Sequence, residues 1–360
     1  MTMRKGNDMD PLLREIRQQP DTFRAAADGL RRQTAALERV AALTHEGRLP
    51  VILTGMGSSL DACQAAASLV ARAGRPALAI NTAELAHFQL SALLPGSCVV
   101  AVSQSGRSAE IVLLGERLAD VAGVHLVAVT NGVDNPLAGQ ADVVVDMCAG
   151  AEIGPATKTF TASLVVLSAL ADAITSHATA KEIVARAIAA ADSASAQAAV
   201  MLHDADDTDD TGDIERRIEG GAHLVILGRG VARAAAEVGS LVLKEASRTP
   251  AESMDAAEFR HGPLELAGPE LAAVVVSLEP ATLHLDRRLL DDMAGRGSAV
   301  LAIGLADAQS PAPRVVVDPV SPLFDVAVAS VPLQLLAWRR ARRSAAPGTF
   351  LIGEKVTTQE

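Results

Sequence analysis

The apolar run VVAVS (99–103) empties into the polar stretch SQSGRS and then resumes as the helical pattern SAEIVLLGERLADVAG (108–123). This alternation of short, wholly apolar runs with amphipathic helical segments recurs along the chain, and it narrows the fold more than any other feature. PVILTG, PALAIN, SCVVAVSQSG, VHLVAVTN and ADVVVDM read as strands. SSLDACQAAASLVARAG, AELAHFQLSALL and the long TKTFTASLVVLSALADAITSHA read as helices. Strands that are apolar on both faces and separated by helices form a parallel sheet covered on both sides, so the chain is an α/β protein. Ahead of this pattern, residues 1–48 read as two helices with Pro20 as the break between them.

The pattern stops at HDADDTDDTGDI (203–214), which is acidic and carries no large apolar residue before Ile214. It reads as an exposed connection between two units. The alternation then restarts with AHLVILGRG as a strand and turn, ARAAAEVGSLVLKEAS as a helix and ELAAVVVSLEP as a strand. The halves resemble each other. VILTGMGSSLDACQAAASL (51–69) lies on LVILGRGVARAAAEVGSLV (224–242), with Gly55 and Gly57 on Gly228 and Gly230. Two Ala- and Val-rich α/β segments can look alike by chance, but a duplicated domain is the better reading. The copies differ where SQSGRS stands in the first, because the second has Leu278, Glu279 and Pro280 there. Only the first half is therefore expected to bind what that loop binds.

The polar loop sits where a strand hands over to a helix. A helix start exposes unpaired N–H groups and a partial positive charge, and small residues let an anion approach them. Ser103, Ser105 and Ser108 add hydroxyls, Gln104 adds an amide, and Gly106 allows backbone angles that other residues avoid. Alone, the loop fits an ordinary capped βα turn equally well. A second loop of the same kind, GMGSS (55–59), tips the balance toward a phosphate monoester. No GxxxxGK[ST] pattern occurs, which argues against ATP. The net charge of -11, with no basic stripe, argues against nucleic acid and anionic membranes as partners. Three cysteines without paired spacing (Cys63, Cys98, Cys148) fit a reducing, cytoplasmic setting, and the N-terminus lacks the apolar core of a signal peptide. No uninterrupted apolar run reaches the ~18 residues that a membrane helix needs. No metal-ligand spacing is visible, and the expected chemistry needs no metal or cofactor.

SQSGRSAEIV resembles the phosphate loop of the sugar isomerase (SIS) domain family. Tandem copies followed by a KVTTQE tail resemble the isomerase half of the amidotransferase members that make glucosamine 6-phosphate. The motifs that carry this are GMGSS, SQSGRS, EIGPATKTFT, LKEASRTPAESMDAAEFRHGP and KVTTQE, and they cover nearly the whole chain. The resemblance implies two flavodoxin-like three-layer SIS domains. Residues 1–48 are then N-terminal helices, 49–200 the phosphate-binding first domain and 201–214 a linker. Residues 215–345 are the second domain and 346–360 an active-site tail.

It also implies the site. Glu245, the Glu of the KE pair, becomes the base that carries a proton between C1 and C2 of an open-chain sugar. His261, before Gly262 and Pro263, assists ring opening and reaches into the site of the neighbouring subunit, so at least a homodimer is expected. Taken without the resemblance, these two fit a solvated helix carboxylate and a capped turn better than a site. Lys355 of the tail lies over the sugar and can condense with a carbonyl, whereas by default a tail lysine is an exposed charge. Ser59, Ser103, Gln104, Ser105, Ser108 and Thr157 fall on phosphate and sugar contacts.

Two departures bear on the reaction. The glutaminase half, with its N-terminal Cys nucleophile, has no counterpart in this sequence, and Val242 stands where those relatives carry Lys. The block EIGPATKTF is also one residue short of the pattern. Together these point to isomerisation coupled to loss of ammonia, with glucosamine 6-phosphate going to fructose 6-phosphate. The alternatives are a galactosamine 6-phosphate enzyme, a fructosamine 6-phosphate deglycase, or a sugar-phosphate sensor without turnover.

Overall fold

The computed structural model describes residues 10–45, 49–204, 212–344, 346 and 348–359. Among these residues, ten strands form two five-stranded parallel sheets. The first comprises β1 (Val51–Gly55), β2 (Ala77–Asn81), β3 (Cys98–Ser103), β4 (His125–Thr130) and β5 (Val143–Asp146), in the order β2-β1-β3-β4-β5. The second comprises β6 (His223–Gly228), β7 (Ala251–Asp255), β8 (Leu271–Ser277), β9 (Ala299–Gly304) and β10 (Arg314–Val316), in the order β7-β6-β8-β9-β10. The two orders are the same, 2-1-3-4-5, which is the flavodoxin-like doubly wound plan. The duplication read from the sequence is therefore a duplication of topology.

Thirteen α-helices among the described residues complete the layers. Those of the N-terminal part are α1 (Pro11–Arg17), α2 (Gln19–Gly29) and α3 (Thr34–His45). The first half adds α4 (Ser58–Arg72), α5 (Thr82–Glu84), α6 (Ala109–Leu118), α7 (Pro136–Gln140), α8 (Lys158–Thr175) and α9 (Ala180–Asp204). The second adds α10 (Gly212–Glu219), α11 (Ala232–Ser247), α12 (Leu283–Ala294) and α13 (Pro322–Arg343). Alternate residues of each strand face opposite ways. Val51, Leu53, Val100 and Val102 face one large core, and Leu224, Ile226, Ala272 and Val274 face the same core from the other sheet. The helices α4, α8, α11 and α13 fill the space between the sheets. Each sheet also covers a smaller outer core, with Ile52, Val99 and Ala101 in one and Val225, Ala273 and Val275 in the other. Helix α8 is apolar and long enough to cross a membrane, but it lies buried in the shared core.

The structure corrects three local expectations. The N-terminal region forms three helices, not two. Pro20 opens α2, and a second break falls at Leu30–Arg32. There the Gln33 side chain pairs with the β5 backbone, donating to Asp146 O at 3.0 Å and accepting from Asp146 N at 2.7 Å, and this holds the chain out of a continuous helix. AELAHFQLSALL is not one helix but successive turns of α, π (Leu85–Gln89) and 3-10 (Leu90–Ala92) geometry. The wider π turn lets consecutive Leu85 and Ala86 both bury. AESMD, not read as a strand, forms β7, an edge strand, which explains its polar composition. The acidic connection expected at 201–214 falls largely on 205–211, outside the described residues, and α9 runs through to Asp204.

Candidate active site

In both halves the first strand turns into its helix over a glycine that admits no side chain. A Cβ at Gly55 would lie 2.9 Å from the Ser59 backbone, and one at Gly228 would lie 2.7 Å from Ala232 O. In the first half this tight turn brings Ser58 and Ser59, at the start of α4, beside the end of β3. There the SQSGRS loop wraps toward α6. Gly106 has φ +61, and a Cβ on it would collide with the Asn135 side chain, so only glycine closes the loop here. Ser103 Oγ accepts from Gly106 N at 3.2 Å, and Ser105 Oγ accepts from Arg107 N at 3.1 Å. Ser108 is the N-cap residue of α6 and makes no capping bond to its own helix, which leaves its hydroxyl available to a ligand.

These residues enclose a cavity of about 110 Å³. It is lined by Ser58, Ser59, Ser103, Gln104, Ser105 and Ser108, with Thr159, Ser163 and Lys355 opposite. Six of the nine expected site residues, Ser59, Ser103, Gln104, Ser105, Ser108 and Lys355, therefore converge on one place at the C-terminal ends of the strands. Open α/β sheets bind their ligands there. A larger groove of about 1010 Å³, between α8, α9 and residues 318–322, contains none of them.

The tail forms one wall. Lys355 Nζ donates to Glu152 Oε2 at 2.6 Å and to Gly154 O at 2.8 Å, and Thr357 O accepts from Ala109 N, the first amide of α6, at 3.0 Å. The tail is thus fastened at both the lysine and the start of the helix. Glu152 is fully buried. Its Oε1 accepts from Thr157 N (2.9 Å), Thr157 Oγ1 (3.1 Å) and Thr159 N (3.1 Å), and its Oε2 accepts from Thr159 Oγ1. It therefore caps α8 and holds Lys355 at once. Glu15 of α1 holds the same loop from outside, accepting from Ile153 N at 2.7 Å and Gly154 N at 3.1 Å. Burial pushes the Glu15 carboxyl up, opposed by those two N–H bonds and by Lys355, with Glu152 adding to the rise.

Thr157 is placed differently from expectation. It is fully buried, its hydroxyl is spent on Glu152, and it does not line the cavity; Thr159, two residues on, does. Glu245 does not line the cavity either, but the last turn of α11 brings it beside Lys355 and Glu152. Burial pushes its carboxyl up to about 7, Lys355 and Lys244 pull it down, and Glu152 adds to the rise. Arg248 closes α11 in the left-handed region (φ 55), and its guanidinium donates to Glu245 O at 2.9 Å. His261 follows a 3-10 turn anchored by buried Phe259. It is exposed and does not line the cavity of its own chain. Val242 is buried in the shared core, where it acts as a packing residue.

The sequence reading missed Glu15 and Glu152. Glu152 opens the quoted block EIGPATKTF. Glu15 is a carboxylate among the buried Leu12, Leu13 and Ile16 of α1. An acidic residue on the apolar face of a helix was the signal in that case.

Fold and cavity together define a duplicated doubly wound protein with a small hydroxyl-lined cavity at the strand ends of its first half. The chain belongs to the SIS domain family, whose profile matches residues 44–173 and 218–313. It is 30% identical over 354 residues to a glutamine–fructose-6-phosphate aminotransferase (isomerizing) of Caulobacter vibrioides, an alignment covering 94% of this chain and 57% of the relative. It is 29% identical over 342 residues to the protein of that name from Pyrobaculum aerophilum, covering 93% and 55%. The chain thus spans little more than half the length of these relatives. Among solved structures, the C-terminal domain of glucosamine-fructose-6-phosphate aminotransferase from Francisella tularensis matches with a TM-score of 0.80 at 22% identity, covering 98% of this chain and 100% of that one. Tagatose-6-phosphate ketose/aldose isomerase from Escherichia coli matches with 0.74 at 21% identity, covering 94% and 95%. Glucosamine-6-phosphate deaminase from Thermotoga maritima matches with 0.67 at 19%, covering 92% and 99%.

Proposed function

We propose that the protein is a phosphosugar isomerase that acts on an amino-sugar phosphate and releases its nitrogen as ammonia, with glucosamine 6-phosphate as substrate. The observation that carries this reading is a hydroxyl-lined cavity with a tail lysine in its wall, paired with Glu152, and next to that pair a Glu245 carboxyl pushed up to about 7. Serine hydroxyls, the Gln104 amide and the α6 start hold the phosphate. His261 of a neighbouring subunit opens the ring, exposing an aldehyde at C1 and an amine at C2. Glu245 takes the proton from C2 and returns it to C1, while the amine nitrogen gives up a proton and O1 gains one, so that C1 becomes a hydroxymethyl group and the C2 amine an imine. Water then adds to C2 and ammonia leaves, giving the ketose. The positive charge on Lys355 offsets the negative charge that develops along C1–C2 during proton transfer. A base of this kind works best with a pKa near the operating pH, and burial places Glu245 there.

The name carried by the Thermotoga neighbour supports the deaminase reading. So does Val242: with apolar packing in place of a cationic side chain, handling of the sugar differs from that in the amidotransferases. The test is ammonia release from glucosamine 6-phosphate, with fructose 6-phosphate assayed in parallel. Equal amounts of both are expected. Absence of ammonia from both glucosamine 6-phosphate and galactosamine 6-phosphate would overturn the reading.

A further inference from the structure

The strand registers align the halves residue by residue. Val51 pairs with Cys98 in the first sheet as Leu224 pairs with Ala272 in the second. Followed to the strand ends, Ser58 matches Val231, and Ser103, Gln104 and Ser105 match Ser277, Leu278 and Glu279. Followed along the helices, Arg72 in the last turn of α4 matches Glu245 in the last turn of α11. In the first half, Ser58, Ser103, Gln104 and Ser105 all face the cavity. In the second half, the carboxylate of Glu279 occupies the corresponding ground. Its Oε1 accepts from Val231 N, beside the start of α11, at 3.3 Å. The same oxygen lies 2.6 Å from Arg72 Nη1, and the side chain is only 12% exposed.

The exchange is reciprocal. Helices α4 and α11 pack against each other, and each sends a charged residue from its last turn across to the strand ends of the other half. Glu245 crosses to the first half, where it meets Lys355 and Glu152. Arg72 crosses to the second, where it meets Glu279. An anion held between a helix-start amide and a guanidinium is the composition of a phosphate site. Here the anion is part of the chain. The neighbouring cation is also satisfied internally, since Arg229, the counterpart of Met56, pairs with buried Asp286 at 2.7 Å.

We infer that the second half contains a latent anion site, built on the plan of the first and filled in the native chain by the Glu279 carboxylate; once vacated, it takes phosphate or a phosphate monoester. The inference rests on reading the first-half loop as a phosphate site. It makes Glu279 the reason that a duplicated fold carries one ligand per chain, and it gives the Arg72–Glu279 pair a second role in tying the halves together.

The experiment is equilibrium dialysis of the purified full chain against inorganic phosphate and, separately, against fructose 6-phosphate. The native protein should bind one equivalent of either per chain. Glu279→Ser, which installs the first-half residue, should bind two equivalents of inorganic phosphate. Adding Arg72→Ala to it should return the count to one. A second equivalent of fructose 6-phosphate as well would mean that the vacated site also admits the sugar. One equivalent in both native and folded Glu279→Ser protein, or two in the native protein, overturns the inference and leaves the first-half reading intact. No binding by either protein overturns both. Should Glu279→Ser fail to fold, Glu279→Ala carries the same expectation, because it also removes the carboxylate that fills the site and leaves Arg72 and the α11 start in place.

Discussion

Glu245 gives the most demanding test, because the property that suits it to proton transfer also costs stability. Its carboxyl is pushed from 4.5 to about 7, chiefly by burial. The folded protein therefore holds this proton more tightly than the unfolded chain does. Folding has the full benefit below about pH 4.5, loses it progressively as pH rises, and has lost it once pH has passed through 7. The ceiling on the loss is roughly 3 kcal/mol, at about 1.36 kcal/mol per pH unit. Glu245→Gln resembles the protonated carboxyl in size and bonding but cannot ionise. The variant should match the native protein in stability near pH 4.5 and exceed it by up to roughly 3 kcal/mol at pH 8, while losing turnover by a factor on the order of 10² or more. Urea or thermal unfolding of both proteins at a series of pH values measures the difference directly. A gap between the two proteins that does not change between pH 5 and 8 would refute the reasoning, since Glu245 would then ionise at its ordinary value. The same titration governs the reaction. In native protein kcat/KM should rise about tenfold between pH 6 and 8 as the base loses its proton, and a flat profile would separate Glu245 from catalysis.

The remaining expectations are simpler. Glu152→Gln removes the charge that holds Lys355 and weakens the cap of α8, so stability should fall by about 1–2 kcal/mol. The same variant removes a repulsion from Glu245, so the rising limb of the pH–rate profile should move to lower pH. An unmoved profile would mean that the two carboxylates do not sense each other. Gly106→Ala forces a side chain into the left-handed region and against Asn135. It should cost more than about 1 kcal/mol and abolish phosphosugar binding, both readable by calorimetry. Mixing inactive His261→Ala with inactive Glu245→Gln chains under subunit exchange should restore part of the activity, because hybrid dimers then contain one complete site. No recovery in verified hybrids would place His261 outside the neighbour's site.

Which parts of the site were legible follows from what each residue answers to. The loop SQSGRS was readable because its demands are local. A strand end, a glycine that must take positive φ and small hydroxyls before a helix all lie within one stretch of sequence, and the cavity gathers them as expected. Glu245 and Lys355 were placed only through resemblance, since nothing near either of them in sequence sets it apart from a surface charge. Their meaning comes from contacts between α11, the tail and the loop at Glu152, which are distant along the chain. Thr157 depends on such a contact too: its hydroxyl bonds buried Glu152, a pairing that the sequence does not display. The second half makes the point most sharply. The sequence marks Glu279 as a departure from SQSGRS, and the natural conclusion is a lost site. Arg72 changes that conclusion, because a cation delivered by the other half accounts for why a carboxylate can lie nearly buried at the start of a helix. A substitution that reads as decay in one dimension is, in three, one half of an ion pair between duplicated domains.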